Sequence, residues 1–478
     1  MTDVFLINCP IAFKKNGEML GDETTNPPLG LLYIASYLER SGISVKVFDV
    51  RAENLSLSDI LRKIKKENPK VIGLSAMTPS IRAAVELAKE IRGKFGHTEP
   101  VIVLGGAHLC ADPDFIRRFP VFDFGVVGEG EILFTQLMKK ILRGRKLNGL
   151  YFAEPIKDLN KLPFPARHLI NKANYYGAIN EDISQKERCK MVYASLIGSR
   201  GCPFHCSFCS KSVYKNVNRV RSPENVYQEM EEIFEDYGGY IFMDDTLTLH
   251  RENTFRLCQL LISSGKRFRW MAMTRASSVD EKLLKIMAQA GCHDLFFGVE
   301  SGNEKIRNQV IKKNVKDREI FQAVRLCRKY GIQSNLFLML GFPEETEKEI
   351  EDMVNFGKKA KADFIGIHIT VPLPGAEIFN IAIKEGKLDK DIIDKYARGE
   401  LGKNFKRAWP LYVPNGMNLE ALVEAKKRTY RNFYLDPGWI WRRVQRDLRY
   451  HESLKQDFRM IKTGIYALLH GETKYSMS

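Results

Sequence analysis

Apolar positions along the chain fall into two successive rhythms. Short unbroken apolar runs at Val4–Asn8, Val45–Asp49, Val71–Ser75, Val101–Leu104 and Phe124–Val127 read as strands buried on both faces. Between most of them apolar residues recur at helical spacing, over 29–42 (stopped by Gly42), 57–67, 80–95 and 130–143. This alternation predicts a parallel sheet with helices on both faces, a doubly wound, flavodoxin-like α/β domain over residues 1–145. Such sheets bind ligands beyond the carboxyl ends of their strands. The loops placed there are Pro27-Pro-Leu-Gly30, Ser75-Ala-Met77-Thr78-Pro-Ser80, Gly105-Gly106-Ala-His108 and Gly128-Glu129-Gly130-Glu131. Their glycines let backbone approach a ligand closely, although any flavodoxin-like domain has glycines at its strand ends.

Residues 146–189 break the rhythm and read as a linker, with Pro163 and Pro165 forcing extended backbone. A second series then runs over 190–380, with strands at Ala194–Gly198, Tyr240–Asp244, Trp270–Thr274, Leu295–Glu300, Ser334–Leu340 and Ile365–Thr370. Helical patterns fill 222–236, 251–264, 280–290, 317–330 and 345–361. Six strand–helix units predict a partial (β/α)6 barrel, whose chemistry collects at the strand carboxyl ends. Polar residues interrupt the apolar runs there: Asp244 and Asp245, Arg275, Glu300 and Ser301, then His368 and Thr370. Asp244 and Asp245 face opposite sides of their strand, and the sequence leaves open which faces inward. The structural alternative for Glu300 and Arg275 is an ion pair tying strands three and four together.

The region 381–478 reads as helical, with helices near Leu419–Tyr434 and Gly438–Tyr450. In the second, Ile440, Trp441, Val444 and Leu448 share one face, and Arg442, Arg443, Arg446 and Arg449 crowd the other. Such a helix either packs on the barrel with its charged face solvated or makes peripheral contact with an anionic membrane.

Composition narrows the setting. Of nine cysteines, six are scattered (Cys9, Cys110, Cys189, Cys258, Cys292, Cys327), which implies no disulfide framework and a reducing, cytoplasmic compartment. The N-terminus lacks the pattern of a signal peptide, and no apolar stretch reaches the roughly 18 residues of a spanning helix. An excess of 74 basic over 58 acidic residues, +16, suits nucleic acid, anionic cofactors or a membrane surface, and charge alone does not choose.

The other three cysteines carry the chemistry. Cys202, Cys206 and Cys209 stand in Gly198-Ser-Arg-Gly-Cys-Pro-Phe-His-Cys-Ser-Phe-Cys, three soft ligands in one short loop with no fourth at a conventional distance. Structural zinc wants four closed ligands, so a zinc knuckle would need His205 or a distant cysteine. Three thiolates on an iron–sulfur cluster leave one iron open to a small molecule.

That spacing is the pattern of radical S-adenosylmethionine (SAM) enzymes. With the strand-end loops ahead of it, the chain from about residue 4 to 445 resembles the cobalamin-dependent radical SAM family. The resemblance implies a 4Fe–4S cluster on Cys202, Cys206 and Cys209, with SAM near Asp244, Asp245, Arg275, Glu300 and Ser301. It implies cobalamin contacts at Ser75, Met77, Thr78, Gly105, Gly106, His108, Gly128, Glu129 and Gly130. One departure stands out. The Asp-x-His-x-x-Gly loop of many cobalamin domains is here Cys9-Pro-Ile-Ala-Phe-Lys-Lys-Asn-Gly17, without histidine. Cobalamin is therefore expected without a histidine beneath the cobalt, as is common in this family.

The implied reaction begins with a deoxyadenosyl radical taking hydrogen from an unactivated carbon, which then receives a methyl group from methylcobalamin. The expected partners are a small apolar or natural-product-like substrate and a low-potential electron donor of flavodoxin or ferredoxin type, with no nucleic acid. Two alternatives stay in view. One is oxidative cyclisation or another radical rearrangement of a tetrapyrrole-like or lipid substrate, as in anaerobic tetrapyrrole ring-forming members; the other is a non-catalytic iron–sulfur electron-transfer module.

Overall fold

A computed structural model describes residues 2–13, 17, 26–175, 192–401 and 410–450. Cys189, the end of the linker and the tail beyond 450 lie outside them.

The first sheet has strands β1 Val4–Asn8, β2 Val45–Asp49, β3 Val71–Ser75, β4 Val101–Gly105, β5 Phe124–Val127 and β6 Gly149–Phe152. Their order is β2-β1-β3-β4-β5-β6, all parallel. Chain direction across the sheet reverses between β1 and β3, and at that switch the register aligns Asn8 with Ser75 and Ser75 with Gly105. Helices Leu29–Arg40, Leu57–Glu67, Ile81–Phe95 and Gly130–Leu142 cover the faces. The second starts where Ser56 accepts from the Asp59 amide at 3.1 Å and Asp59 accepts from the Ser56 amide at 3.0 Å. Strand β6 lies within the stretch read as linker, so the sheet has a sixth strand beyond residue 145.

The second sheet continues with β7 Tyr193–Leu196, β10 Gly239–Phe242, β11 Trp270–Thr274, β12 Cys292–Glu300, β13 Gln333–Leu340 and β14 Phe364–Ile369, side by side in chain order and parallel. Between β7 and β10, a two-residue ribbon pairs β8 Ser199–Arg200 with β9 Arg219–Val220. Helices Pro223–Glu232, Arg251–Ser263, Glu281–Gln289, Asp317–Tyr330 and Glu347–Ala360 follow successive strands. One apolar core joins the outward strand residues, such as Phe242, Trp270, Phe297 and Leu338, to these helices. Another core spans both halves, packing Phe5, Ile7 and Leu74 with Ile311, Phe342 and Ile378.

The C-terminal helix Pro437–Tyr450 contradicts the expected packing with its charged face in water. Arg443 is buried over the Phe364 ring at 4.7 Å, and Arg446 is buried and donates to the Gly331 carbonyl at 2.9 Å. Ile440, Trp441 and Leu448 face outward instead, with Trp441 62% and Leu448 67% exposed. The apolar residue that anchors the helix is Trp439, whose Nε1 donates to the Asp363 carbonyl at 2.8 Å. No helix among the described residues is long and apolar enough to cross a membrane.

Candidate functional site

The cysteine loop leaves the β8–β9 ribbon at Gly201. This residue sits at φ 87° with the Val217 carbonyl against the place a Cβ would fill, so only glycine fits before Cys202. Asp244 fastens the base of the ribbon by accepting from the Gly198 amide at 2.9 Å and from Ser199 Oγ at 2.5 Å. Cys202, Cys206 and Cys209 are half-buried free thiols. Burial pushes Cys209 up to about 11 and raises Cys202, and the Asp245 charge and neighbouring Cys206 add to both. Such thiols give up their protons when a metal binds. Among the described residues no three of His, Cys, Asp and Glu converge as ligands of a single ion. A cluster makes no such demand, since each cysteine holds a different iron. The loop therefore fits an iron–sulfur cluster held at three corners.

The barrel residues divide in two. Asp245 is exposed, and its charge reaches Cys202 and Cys209. Asp244, buried behind the ribbon and pushed up to about 6 by burial, faces the other way. Glu300 lies where the β12–β13 register shifts between Gly298 and Glu300, at φ 67°, a bulge that re-aims its side chain. It does not pair with Arg275. Its Oε1 meets Lys313 Nζ at 2.8 Å over Gly298, whose missing Cβ leaves the room. Arg275 stacks on Phe204 of the cysteine loop at 3.6 Å and donates to the Lys313 carbonyl. Ser301 is fully buried and accepts from the Asn303 amide at 3.2 Å, a turn contact.

Beyond the carboxyl ends of the first sheet lies a cavity of about 390 Å³. Asn8, Ser75, Met77, Gly105, Gly106, Gly128, Glu129 and Gly130 line it from the first domain, Arg200 closes it from strand β8, and Val213 and Tyr214 close it from the cysteine loop. Gly106, at φ 95°, lies so near Ala76 that a Cβ would stand 2.6 Å from its carbonyl oxygen. Met77 is 58% exposed at the rim, apolar surface a bound cofactor would cover. These features fit a large flat cofactor at the switch point.

Thr78 and His108 are not in the lining. His108 is fully buried, bonds Thr78 Oγ1 through Nδ1 at 3.1 Å and packs edge-on to Phe115 at 4.8 Å. Burial, with the Arg118 charge, holds it down to about 3, so it stays neutral. The Glu129 carboxylate is committed to protein: Arg200 donates to it at 2.7 Å, and Arg219 and the Ile156 amide donate as well. Burial opposes its charge, yet Arg219 and Arg200 hold the carboxyl below its ordinary range. Arg200 also donates to Glu131 at 2.6 Å and lies over the Tyr33 ring at 5.1 Å and the Tyr214 ring at 5.7 Å. This buried knot joins the first domain to the residue two places before Cys202. Sequence reasoning missed it, because its partners lie about 70 residues apart.

Two family models match, the B12 binding domain over residues 22–138 and the radical SAM superfamily over 196–357. An uncharacterized methyltransferase of Pyrococcus horikoshii is 31% identical, over 87% of this chain and 89% of its own. The chain belongs to the cobalamin-dependent radical SAM family. Membership makes it a radical SAM enzyme with a 4Fe–4S cluster, SAM and cobalamin as cofactors. An anaerobic magnesium-protoporphyrin IX monomethyl ester cyclase of Rubrivivax gelatinosus is 26% identical, over 87% of this chain and 75% of its own. The solved structure of TsrM from Kitasatospora setae, a radical SAM methyltransferase with cobalamin and a 4Fe–4S cluster bound, superposes with TM-score 0.66. The match covers 90% of this chain and 89% of that one at 16% identity, a likeness of fold.

Proposed function

We propose that this cobalamin-dependent radical SAM enzyme methylates an unactivated carbon of an apolar small molecule. The observation that carries the reading is the shared wall. Arg200 and Tyr214, on either side of the three cysteines, also line the strand-end cavity. The two cofactor sites are thus adjacent, as a substrate passed between them requires. The bound cofactors supply hydrogen abstraction and methyl donation.

The chain's own residues hold and exclude. Cys202, Cys206 and Cys209 hold the cluster, Asp245 accepts from the amino group of SAM, and Glu300 offers a carboxylate to its nucleoside. Ser75, Met77, Gly105, Gly106, Gly128 and Gly130, which line the cavity, would receive the corrin. The apolar core at the junction, including Phe208 against Phe342 at 6.0 Å, keeps water from a radical. The barrel face turned away from the helices carries half-buried Met271, Met273, Phe296, Phe337 and Met339, with Phe296 stacked on Phe337 at 5.5 Å. That lining supports an apolar substrate body.

Anaerobic incubation of reduced holoenzyme with methyl-labelled SAM and cell extract tests the proposal. Label in a small molecule, with deoxyadenosine released, is the expected result. Deoxyadenosine with an oxidised, unlabelled product would favour the cyclase reading that the second relative supports. The proposal includes a flavodoxin- or ferredoxin-type donor and a cytoplasmic setting. It also includes peripheral contact of Ile440, Trp441 and Leu448 with an anionic membrane. Co-sedimentation with phosphatidylglycerol vesicles, lost in Trp441→Glu, is the expected outcome for that contact.

A further inference from the structure

Lys211 lies two residues after Cys209, and its buried Nζ has no hydrogen-bond partner. Its neighbours spend their polar atoms on the protein. Ser210 Oγ donates to the Pro374 carbonyl at 2.8 Å and Ser212 Oγ to the Ala107 carbonyl at 3.2 Å. A bare buried ammonium is costly, so one kept without a partner points to a group that arrives. What surrounds it says which. The Lys211 charge reaches Cys202, Cys209 and Asp245, so the ammonium and the Asp245 carboxylate lie in the neighbourhood of those two thiols without bonding to each other. Opposite charges held apart beside one another match the two ends of a zwitterion, the amino-acid group that SAM carries.

We infer that Lys211 binds the carboxylate of SAM while Asp245 accepts from its amino group, so that the pair orients the amino-acid end toward the cluster. Lys211 is then a positioning residue, and the inference rests on the radical SAM reading. Arg275, the cation chosen from sequence, spends its guanidinium face on Phe204 and its Nη2 on the Lys313 carbonyl, and only its buried Nε lacks a partner. The Lys211 ammonium is unspent.

The test is equilibrium binding of SAM and of decarboxylated SAM to reconstituted holoenzyme at equal iron content. Lys211→Met is expected to bind SAM about 10- to 100-fold more weakly, the fold-change of one charge-assisted hydrogen bond. Its affinity for the decarboxylated analogue should barely move, so the preference for SAM narrows by that factor. Lys211→Arg should keep most of the preference. Lys211→Gln replaces Lys211→Met if the latter loads its cluster poorly. An unchanged preference in the uncharged variant would overturn the assignment. Wild-type holoenzyme that binds no SAM would instead overturn the radical SAM reading beneath it.

Discussion

In the first sheet, β1 offers no face to a ligand: Val4, Phe5 and Ile7 are 0% exposed and Leu6 2%. In the barrel, β13 alternates, with Ser334, Leu336, Leu338 and Leu340 at 0% and Asn335, Phe337 and Met339 half-buried between them. Both sheets are parallel and their strands are joined largely through helices, yet the first is sandwiched between its helices and the second has helices on one face only. The sandwiched sheet can bind only beyond its strand ends, where its glycine loops open on the cavity. The one-sided sheet can also bind along its inner face. The cysteine loop and the strand that leads into it meet both surfaces, Phe204 lying against Arg275 on the barrel side and Arg200 and Tyr214 lining the cavity.

Removing the element common to both sides has the largest effect. Replacing Cys202, Cys206 or Cys209 by Ala abolishes cluster absorbance and deoxyadenosine formation, measured on reconstituted protein. Replacing the buried core thiols Cys258 or Cys327 leaves both largely intact.

The next variant loosens the wall that the two sites share while leaving the three cysteines in place. Arg200→Ala leaves Glu129 and Glu131 short of a buried counter-charge and destabilises the fold by about 3–5 kcal/mol. Denaturant unfolding measures this, and cobalamin retention should fall with it. A loss under about 1 kcal/mol would make the knot incidental to domain docking.

A smaller effect belongs to the barrel side. Glu345 accepts from the Gly341 and Phe342 amides at 2.8 and 3.0 Å, its other oxygen is buried without a partner, and burial pushes its carboxyl up to about 7. The native carboxyl then keeps its proton above the pH at which the unfolded one loses it. Stability therefore falls as pH rises from about 4.5 to 7, by about 1–3 kcal/mol. Thermal denaturation of Glu345→Gln across that range should show a flatter slope than wild type.

The smallest effect is on SAM affinity. Glu300→Gln keeps a side chain over Gly298 but loses the charge facing Lys313, and SAM binding should weaken about 10-fold at unchanged iron content. Unchanged affinity would return Glu300 to a purely structural partner of Lys313.

Most strands were legible because buried runs leave an unmistakable apolar trace, as in Val71–Ser75 and Ser334–Leu340. Strand β6, Gly-Leu-Tyr-Phe, was not: Phe152 is 64% exposed, and prolines soon follow. Helical periodicity gave the two faces of Pro437–Tyr450 but not which turns inward, since Arg443 and Arg446 bury long stems as readily as apolar side chains do. The cysteine triplet stood out because its three thiols are close in sequence. Lys313 and Lys211 stayed invisible because what distinguishes them is a partner, or the lack of one, and only folding decides that. His108 followed a glycine loop in sequence but turns into the core with Thr78 and Phe115.

The central claim is that the cluster and cobalamin share one wall. Electron paramagnetic resonance of holoenzyme carrying cobalt(II) cobalamin and the reduced cluster tests it most directly. The account predicts magnetic coupling between the two centres, because Arg200 and Tyr214 line the cavity only two residues before Cys202 and five after Cys209. Two uncoupled spectra from protein fully loaded with both cofactors would contradict it.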